Sequence, residues 1–428
     1  MLSLLVFNGI YRIKDNTALL NALNKTDNLI PIFILEQNYQ KKYHHRNFLY
    51  NVMKEMYNEF KKHNIHLYCF SLDISSIIKT IIKKVSIKSI YINKTYTYPE
   101  ILTDKSLQHI CGKYDIELNI SNDILLTHIK NPLNYELYID TYYTLNTNTS
   151  VGIEQPDIRT LDTLITRYPN VFGKTKYIFE KCIDIEKTNY KYEFNILGKI
   201  WNDFIDINGD DYKYKFKNIL IKGTRHDAIN ILNEQTFNET TDYYNILPYI
   251  RYGILSSREV FHKIVKQHYI GPILNITKSP ITQYLLKRDH IYNLSRFNID
   301  RVYNIKQQKI RTIQKINKDI FINAKTTIPI IDACIRQINI QGYTDPKIKF
   351  IMYRYYKLYV IKPDKDPTYF NDSLDYDDLI DREMWNSIID STTNYLDIVV
   401  YTNRHNIKQT INKWLSHYEI VNPYNKII

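Results

Sequence analysis

Over the first 125 residues, short apolar runs alternate with stretches of helical period. The runs at 2–7, 29–35, 65–70, 89–92 and 116–120 are almost free of charge. Such runs are what strands buried on both faces require, as in a parallel sheet covered by helices. Between them, Phe48, Leu49, Val52, Met53, Met56, Tyr57 and Phe60 fall on one stripe of a helix over 46–64. Residues 73–85 and 99–114 show similar patterning. This alternation predicts a Rossmann-like α/β domain over 1–125, a doubly wound parallel sheet of five strands.

The pattern changes over 126–192. Pro132, Gly152, Pro156 and Pro169, with a Thr/Asn-rich piece at 144–150, break any long period. The expectation is an extended inter-domain connection crossing the surface. From about 193 to 428 helical periods dominate, at 225–232, 256–268, 328–340, 347–360 and 406–417, predicting a mainly helical domain. Pro363 and Pro367, with Asp364, Asp366, Asp372, Asp375, Asp377 and Asp378 nearby, mark an acidic loop region.

Composition bounds the possibilities. An apolar content of 44% supports sizeable cores and excludes global disorder. The formal charge of +12 suits a polyanion such as DNA, through counterion release at Lys and Arg. The skew of 39 Tyr against 3 Trp is what AT-rich coding produces, and AT-rich coding also accumulates Lys; a large DNA virus or a reduced genome fits it. Cys69, Cys111, Cys182 and Cys334 are isolated, which argues against zinc and for a reducing, intracellular compartment, cytoplasm or nucleus. No metal is expected. No signal peptide is read at the N-terminus, and no apolar run approaches the roughly 20 residues of a membrane span. A monomer is expected.

Neither GxGxxG nor GxxxxGKS occurs, so the sheet carries no phosphate-loop motif. The most structured stretch is Leu247-Pro248-Tyr249-Ile250-Arg251-Tyr252-Gly253-Ile254-Leu255-Ser256-Ser257-Arg258. Pro248 suits the start of a helix and Gly253 its end. Ser256 or Ser257 suits the cap of a second helix. The result is a tight helical corner flanked by two guanidinium groups.

Read with that corner, other segments resemble the DNA photolyase/cryptochrome family in the same order along the chain. Arg12-Ile13-Lys14-Asp15-Asn16-Thr17-Ala18-Leu19 is similar to the family's Arg-x-x-Asp-Asn-x-Ala-Leu, with Asp15 or Asn16 as a helix cap. Leu285-Leu286-Lys287-Arg288-Asp289 is similar to its Leu-x-Trp-Arg-Glu. Thr326–Arg336 resembles Thr-Gly-x-Pro-x-Val-Asp-Ala-x-x-Arg, and Ile420-Val421-Asn422-Pro423 its closing Ile-Phe-Asn-Pro. Asp332 and Arg336 also have the spacing of a helix-face ion pair. The resemblance implies a flavin-binding-type helical domain. If FAD is retained, its contacts fall to Arg251, Arg258, Arg288, Asp332, Arg336, Lys349, Asp378 and Arg382. The DNA-facing positions fall to Lys287, Lys347 and Trp385. An antenna pigment stays unassigned.

The departures from the family's pattern lie where its chemistry lies. Where the family has a hydroxyl-rich run that binds the flavin diphosphate, this chain has Tyr243-Tyr244-Asn245-Ile246-Leu247. Lys287 replaces a Trp that faces the lesion, Lys349 an Arg, and Arg382 the Asn that faces the flavin ring. Trp201, Trp385 and Trp414 are the chain's Trp residues, and the middle positions of the family's Trp relay fall at Phe321 and near Asp364. The reading favoured is a homologue with an eroded flavin site, a non-catalytic DNA-binding or structural protein. The alternative is an active deoxyribodipyrimidine photolyase, repairing pyrimidine dimers by light and FAD; a flavin-binding light sensor is a third reading.

Overall fold

The computed structural model describes residues 2–35, 43–126, 153–173, 177–179, 182–186, 221–234, 243–268, 279–297, 316–344, 346–360, 367–370, 373 and 376–387. The helix expected at 406–417, the closing 420–423 segment, Trp201 and Trp414 fall outside them.

Five strands form one parallel sheet: β1 Leu2–Phe7, β2 Leu29–Ile34, β3 Tyr68–Phe70, β4 Ile87–Asn93 and β5 Glu117–Ser121, in the order β3-β2-β1-β4-β5. The order reverses between β1 and β4, so the sheet is doubly wound, as its apolar runs predict. Every residue of β1 and β2 is buried. The connecting helices are α1 Thr17–Lys25, α2 Tyr43–Lys62, α3 Ile74–Ile82 and α4 Tyr98–Lys113. On one face, Ile74, Ile77, Ile78 and Ile81 of α3 and Leu107 and Ile110 of α4 close over Leu4, Val6, Ile32 and Ile90. Asn16 caps α1 by accepting the Leu19 N–H at 3.1 Å. That frees Asp15, at φ +52°, for another role.

By contact the chain divides into two units, Met1–Lys191 with Lys222–Ile299, and Tyr192–Ile221 with Asp300–Ile428. This division differs from the expected boundary near 193. The described helices of 222–299 belong with the sheet: Arg258 pairs with Asp15, Arg288 donates to the Ile124 carbonyl and Ser295 to that of Tyr96. The described parts of the expected connection also serve the sheet. Phe172 pairs with Leu29, and Cys182 pairs antiparallel with Phe70, covering the β3 edge. Helix α5, Leu161–Arg167, lies within this stretch.

The same unit holds α6 Arg225–Glu234, α7 Leu247–Arg251, α8 Ser257–His268 and α9 Pro280–Phe297. The corner forms as its residue types predict: Pro248 lies in the first turn of α7, and Gly253 follows it at φ +59°. Ser256 accepts the Glu259 N–H at 3.0 Å while Glu259 accepts the Ser256 N–H at 3.0 Å, a reciprocal capping box on α8.

The second unit contains α10 Lys318–Ile322, α11 Pro329–Gln341, α12 Pro346–Tyr359 and α13 Asp378–Ser387. Its core is aromatic, with Phe321, Tyr353, Tyr355, Tyr356, Phe370 and Trp385 all buried. Gly342 ends α11 in the left-handed region at φ +79°.

Candidate functional site

In the sheet-containing unit, four charged side chains meet at the turn after β1. Arg258 grips Asp15 with two bonds, Nε to Oδ2 at 3.0 Å and Nη2 to Oδ1 at 2.9 Å, and lies 3.4 Å from Asp123 Oδ1. Arg12 donates to the carbonyl oxygens of Asp15, Asp123 and Gly253, the last two at 2.8 and 2.9 Å. Asp123 also accepts from the backbone and hydroxyl of Thr17. Burial alone would push the Asp15 carboxyl up, but the Arg258 bond and the Arg12 charge outweigh it, and the group sits below its ordinary value. Burial lowers the Arg12 guanidinium, offset in part by Asp123 and Asp15.

The segment after Asp123 is held just as firmly. Ser257 Oγ and Arg288 Nη1 both donate to the Ile124 carbonyl, at 3.0 and 3.2 Å, and Asp289 accepts the Leu126 N–H at 3.0 Å. The Arg288 guanidinium also lies 4.5 Å from the Tyr292 ring centre. Arg258 and Arg288 are thus committed to protein partners. Arg251 is half-buried, 5.6 Å from the Tyr252 ring centre, and Lys287 is exposed on α9.

In the second unit, Asp381 organises a second polar cluster. Its Oδ1 accepts the Tyr353 hydroxyl at 2.7 Å and lies 3.4 Å from Lys349 Nζ, while its Oδ2 accepts the Asp377 N–H at 2.6 Å. Lys349 and Asp381 are both buried. One turn along α13, Arg382 Nε donates to Asp378 Oδ1 at 2.9 Å, and Tyr376 donates to the same oxygen at 3.0 Å. Burial, and then the charges of Asp378 and Asp381, push the Tyr376 hydroxyl well up.

Asp332 accepts the Thr326 N–H and hydroxyl at 2.8 and 2.7 Å, closing the turn before α11; Arg336 adds a coulombic attraction. Burial still leaves the Asp332 carboxyl above its ordinary value. Trp385, assigned to DNA by its position in the sequence, is 1% exposed and packs on Tyr353 and Tyr356, so it is a core residue in this arrangement. Lys357 lies over its ring and donates to its carbonyl at 3.0 Å; burial brings that ammonium down to about 8. The Lys347 side chain lies outside the described residues.

Sequence reasoning missed Arg12, Asp123, Tyr353 and Asp381. Asp381 carried a signal, a carboxylate among buried Leu379, Ile380 and Trp385 on one helix. Tyr353 lies four residues after Lys349 and so shares its face. Among the described residues no helix is long and apolar enough to cross a membrane, and no group of His, Cys, Asp or Glu is placed to hold a metal.

A doubly wound sheet, a buried Arg–Asp network under a helical corner and an aromatic helical unit define a two-part α/β-plus-α protein. The DNA photolyase family model matches residues 6–145. The chain is 24% identical over 386 residues to a deoxyribodipyrimidine photo-lyase of Buchnera aphidicola, covering 82% of this chain and 72% of that protein. A Sulfolobus tokodaii photolyase solved with two FAD molecules superposes with TM-score 0.68 at 19% identity, over 99% of this chain and 92% of the other. A class III photolyase of Agrobacterium tumefaciens gives TM-score 0.72 at 16% identity, over 98% and 88%. A Synechocystis cryptochrome gives TM-score 0.72 at 14% identity, over 99% and 90%. Residues 6–145 thus match the DNA photolyase family, and the fold of the chain is that of the solved photolyases and cryptochrome.

Proposed function

We propose that this chain is a photolyase-family protein that has given up flavin chemistry and works as a non-catalytic, DNA-binding protein. The observation that carries the reading is the buried Lys349–Asp381 pair. The family resemblance places Lys349 where an Arg anchors the flavin region and Arg382 where an Asn faces the flavin ring. Here each cation is engaged by a carboxylate of its own unit, Lys349 by Asp381 and Arg382 by Asp378. Freeing Lys349 for a ligand would strand a buried carboxylate, a costly exchange. Tyr243-Tyr244-Asn245-Ile246-Leu247 adds two phenol rings where the diphosphate needs compact hydroxyl donors. On this reading the residues present do not suit a flavin. DNA is the favoured partner because the charge of +12 supports phosphate binding by counterion release.

The test has two arms on the purified full-length chain: flavin content, and DNA affinity as a function of salt. The reading expects no stoichiometric flavin and a steep fall of log affinity with log salt. Saturable flavin binding overturns it, and affinity without a salt slope overturns the DNA-binding part.

The second reading is an active, FAD-dependent photolyase. It is supported by the 24% identity to a deoxyribodipyrimidine photo-lyase over 82% of this chain. It expects one flavin per chain and light-dependent loss of pyrimidine dimers from irradiated DNA.

A further inference from the structure

The reversal of strand order between β1 and β4 leaves a crevice at their carboxyl ends, where open α/β sheets bind ligands. Here it is a small, partly open cavity of about 20 Å³, lined by Asn8, Thr95, Glu100, Thr103 and Asp104 and by apolar residues that include Ile74 and Ile92. Asn8 is 7% exposed, and its Oδ1 accepts no hydrogen bond. A buried acceptor left bare costs about 1–3 kcal/mol, so its place in a cavity wall calls for a donor.

The two carboxylates of the lining have the same sense. Glu100 uses Oε2 to accept the N–H groups of Thr97 and Tyr96, at 3.1 and 3.4 Å, and among the described residues Oε1 accepts no bond. Asp104 uses Oδ2 for the Thr95 hydroxyl and Arg296, at 2.8 and 3.2 Å, and among the described residues Oδ1 accepts none. Neither Arg296 nor Lys94 lines the cavity. Three acceptors, two of them on carboxylates, therefore belong to one small space, lined also by the Thr95 and Thr103 hydroxyls and with no cationic residue among its described lining. A helix N-terminus ordinarily attracts anions. At α4 the Glu100 carboxylate already occupies that role, which turns the site against phosphate.

We propose that this cavity binds a small primary ammonium group, the ammonium ion or a short alkylamine. An ammonium carries three N–H donors on a compact charge, matching three acceptors, and a short alkyl stem suits the apolar wall.

Thermal melting of the full chain in methylammonium chloride tests this, against tetramethylammonium and sodium chloride at equal ionic strength. The expected result is a saturable rise in Tm with methylammonium alone. Glu100→Gln keeps the backbone acceptor but loses the charge, and is expected to weaken binding at least about tenfold. Asn8→Asp adds charge with little change of shape, and is expected to tighten it. An equal response to tetramethylammonium, no saturable response, or unchanged affinity in both variants overturns the assignment. So does a saturable rise with inorganic phosphate that Glu100→Gln abolishes.

Discussion

Arg258 and Asp15, 243 positions apart in sequence, form a two-bond ion pair in a region almost closed to water. The pair fixes the corner of the first helical stretch against the turn after β1. Arg12 completes the contact by donating to the Gly253 carbonyl at 2.9 Å. Each of these charges is buried, so each depends on the others for its partners.

Removing one member leaves an uncompensated buried charge. Arg258→Met is expected to destabilise the fold by about 3–5 kcal/mol, read from urea unfolding. Asp15 has its folded pKa below the ordinary carboxylate value, so its contribution is complete above the unfolded pKa. It is lost as pH falls through about 4 toward the lower folded value. Unfolding at pH 7 and pH 3 is expected to show a smaller pH effect in Arg258→Met than in the wild type.

Gly253 makes a second, independent prediction. At φ +59° it lies in the left-handed region, and a Cβ there would fall 2.8 Å from the Ile10 Cα. Gly253→Ala combines backbone strain of about 1–2 kcal/mol with a backbone clash. Its Tm is expected to fall, whereas Gly112→Ala, with open space around its Cβ, is expected to hold or raise it.

The sheet was legible because its strands are apolar throughout and its helices striped, two patterns that survive compositional drift. Helix α9 was not, because it is buried around most of its circumference. Arg288, Asp289, His290 and Asn293 face protein as Ile281, Leu285 and Leu286 do, which erases the amphipathic stripe. The corner was legible from Pro248, Gly253 and Ser256, whose backbone demands are local. Its partners were not, since the Arg258–Asp15 pairing depends on tertiary approach. At Asp332 the i, i+4 spacing pointed to Arg336, while the structure shows Thr326 bound to its carboxylate.

The Asp381 cluster predicts an ordered series of losses. Asp381→Ala leaves Lys349 buried without this carboxylate and is expected to cost about 3–5 kcal/mol. Tyr353→Phe removes one hydrogen bond to a charged group and is expected to cost about 1.5–3 kcal/mol. A double-mutant cycle on the two is expected to show coupling of about 0.5–3 kcal/mol, measured by urea unfolding.

Lys357 gives the opposite pH sign. Its folded pKa, about 8, is below the unfolded value, so between the two the unfolded state holds the extra proton. Stability from this group therefore rises with pH above about 8. Wild type is expected to gain stability relative to Lys357→Met between pH 7 and pH 10, and a constant difference would contradict the assignment.

The central claim is that the carboxylates of Asp381 and Asp378 have taken over the cations that the family resemblance gives to a flavin. The most direct measurement is the flavin-to-protein ratio of the purified chain, after incubation with excess FAD and removal of the free cofactor. The account predicts a ratio far below one and no blue-light flavin band. A ratio near one per chain, with the yellow absorbance of bound flavin, contradicts it.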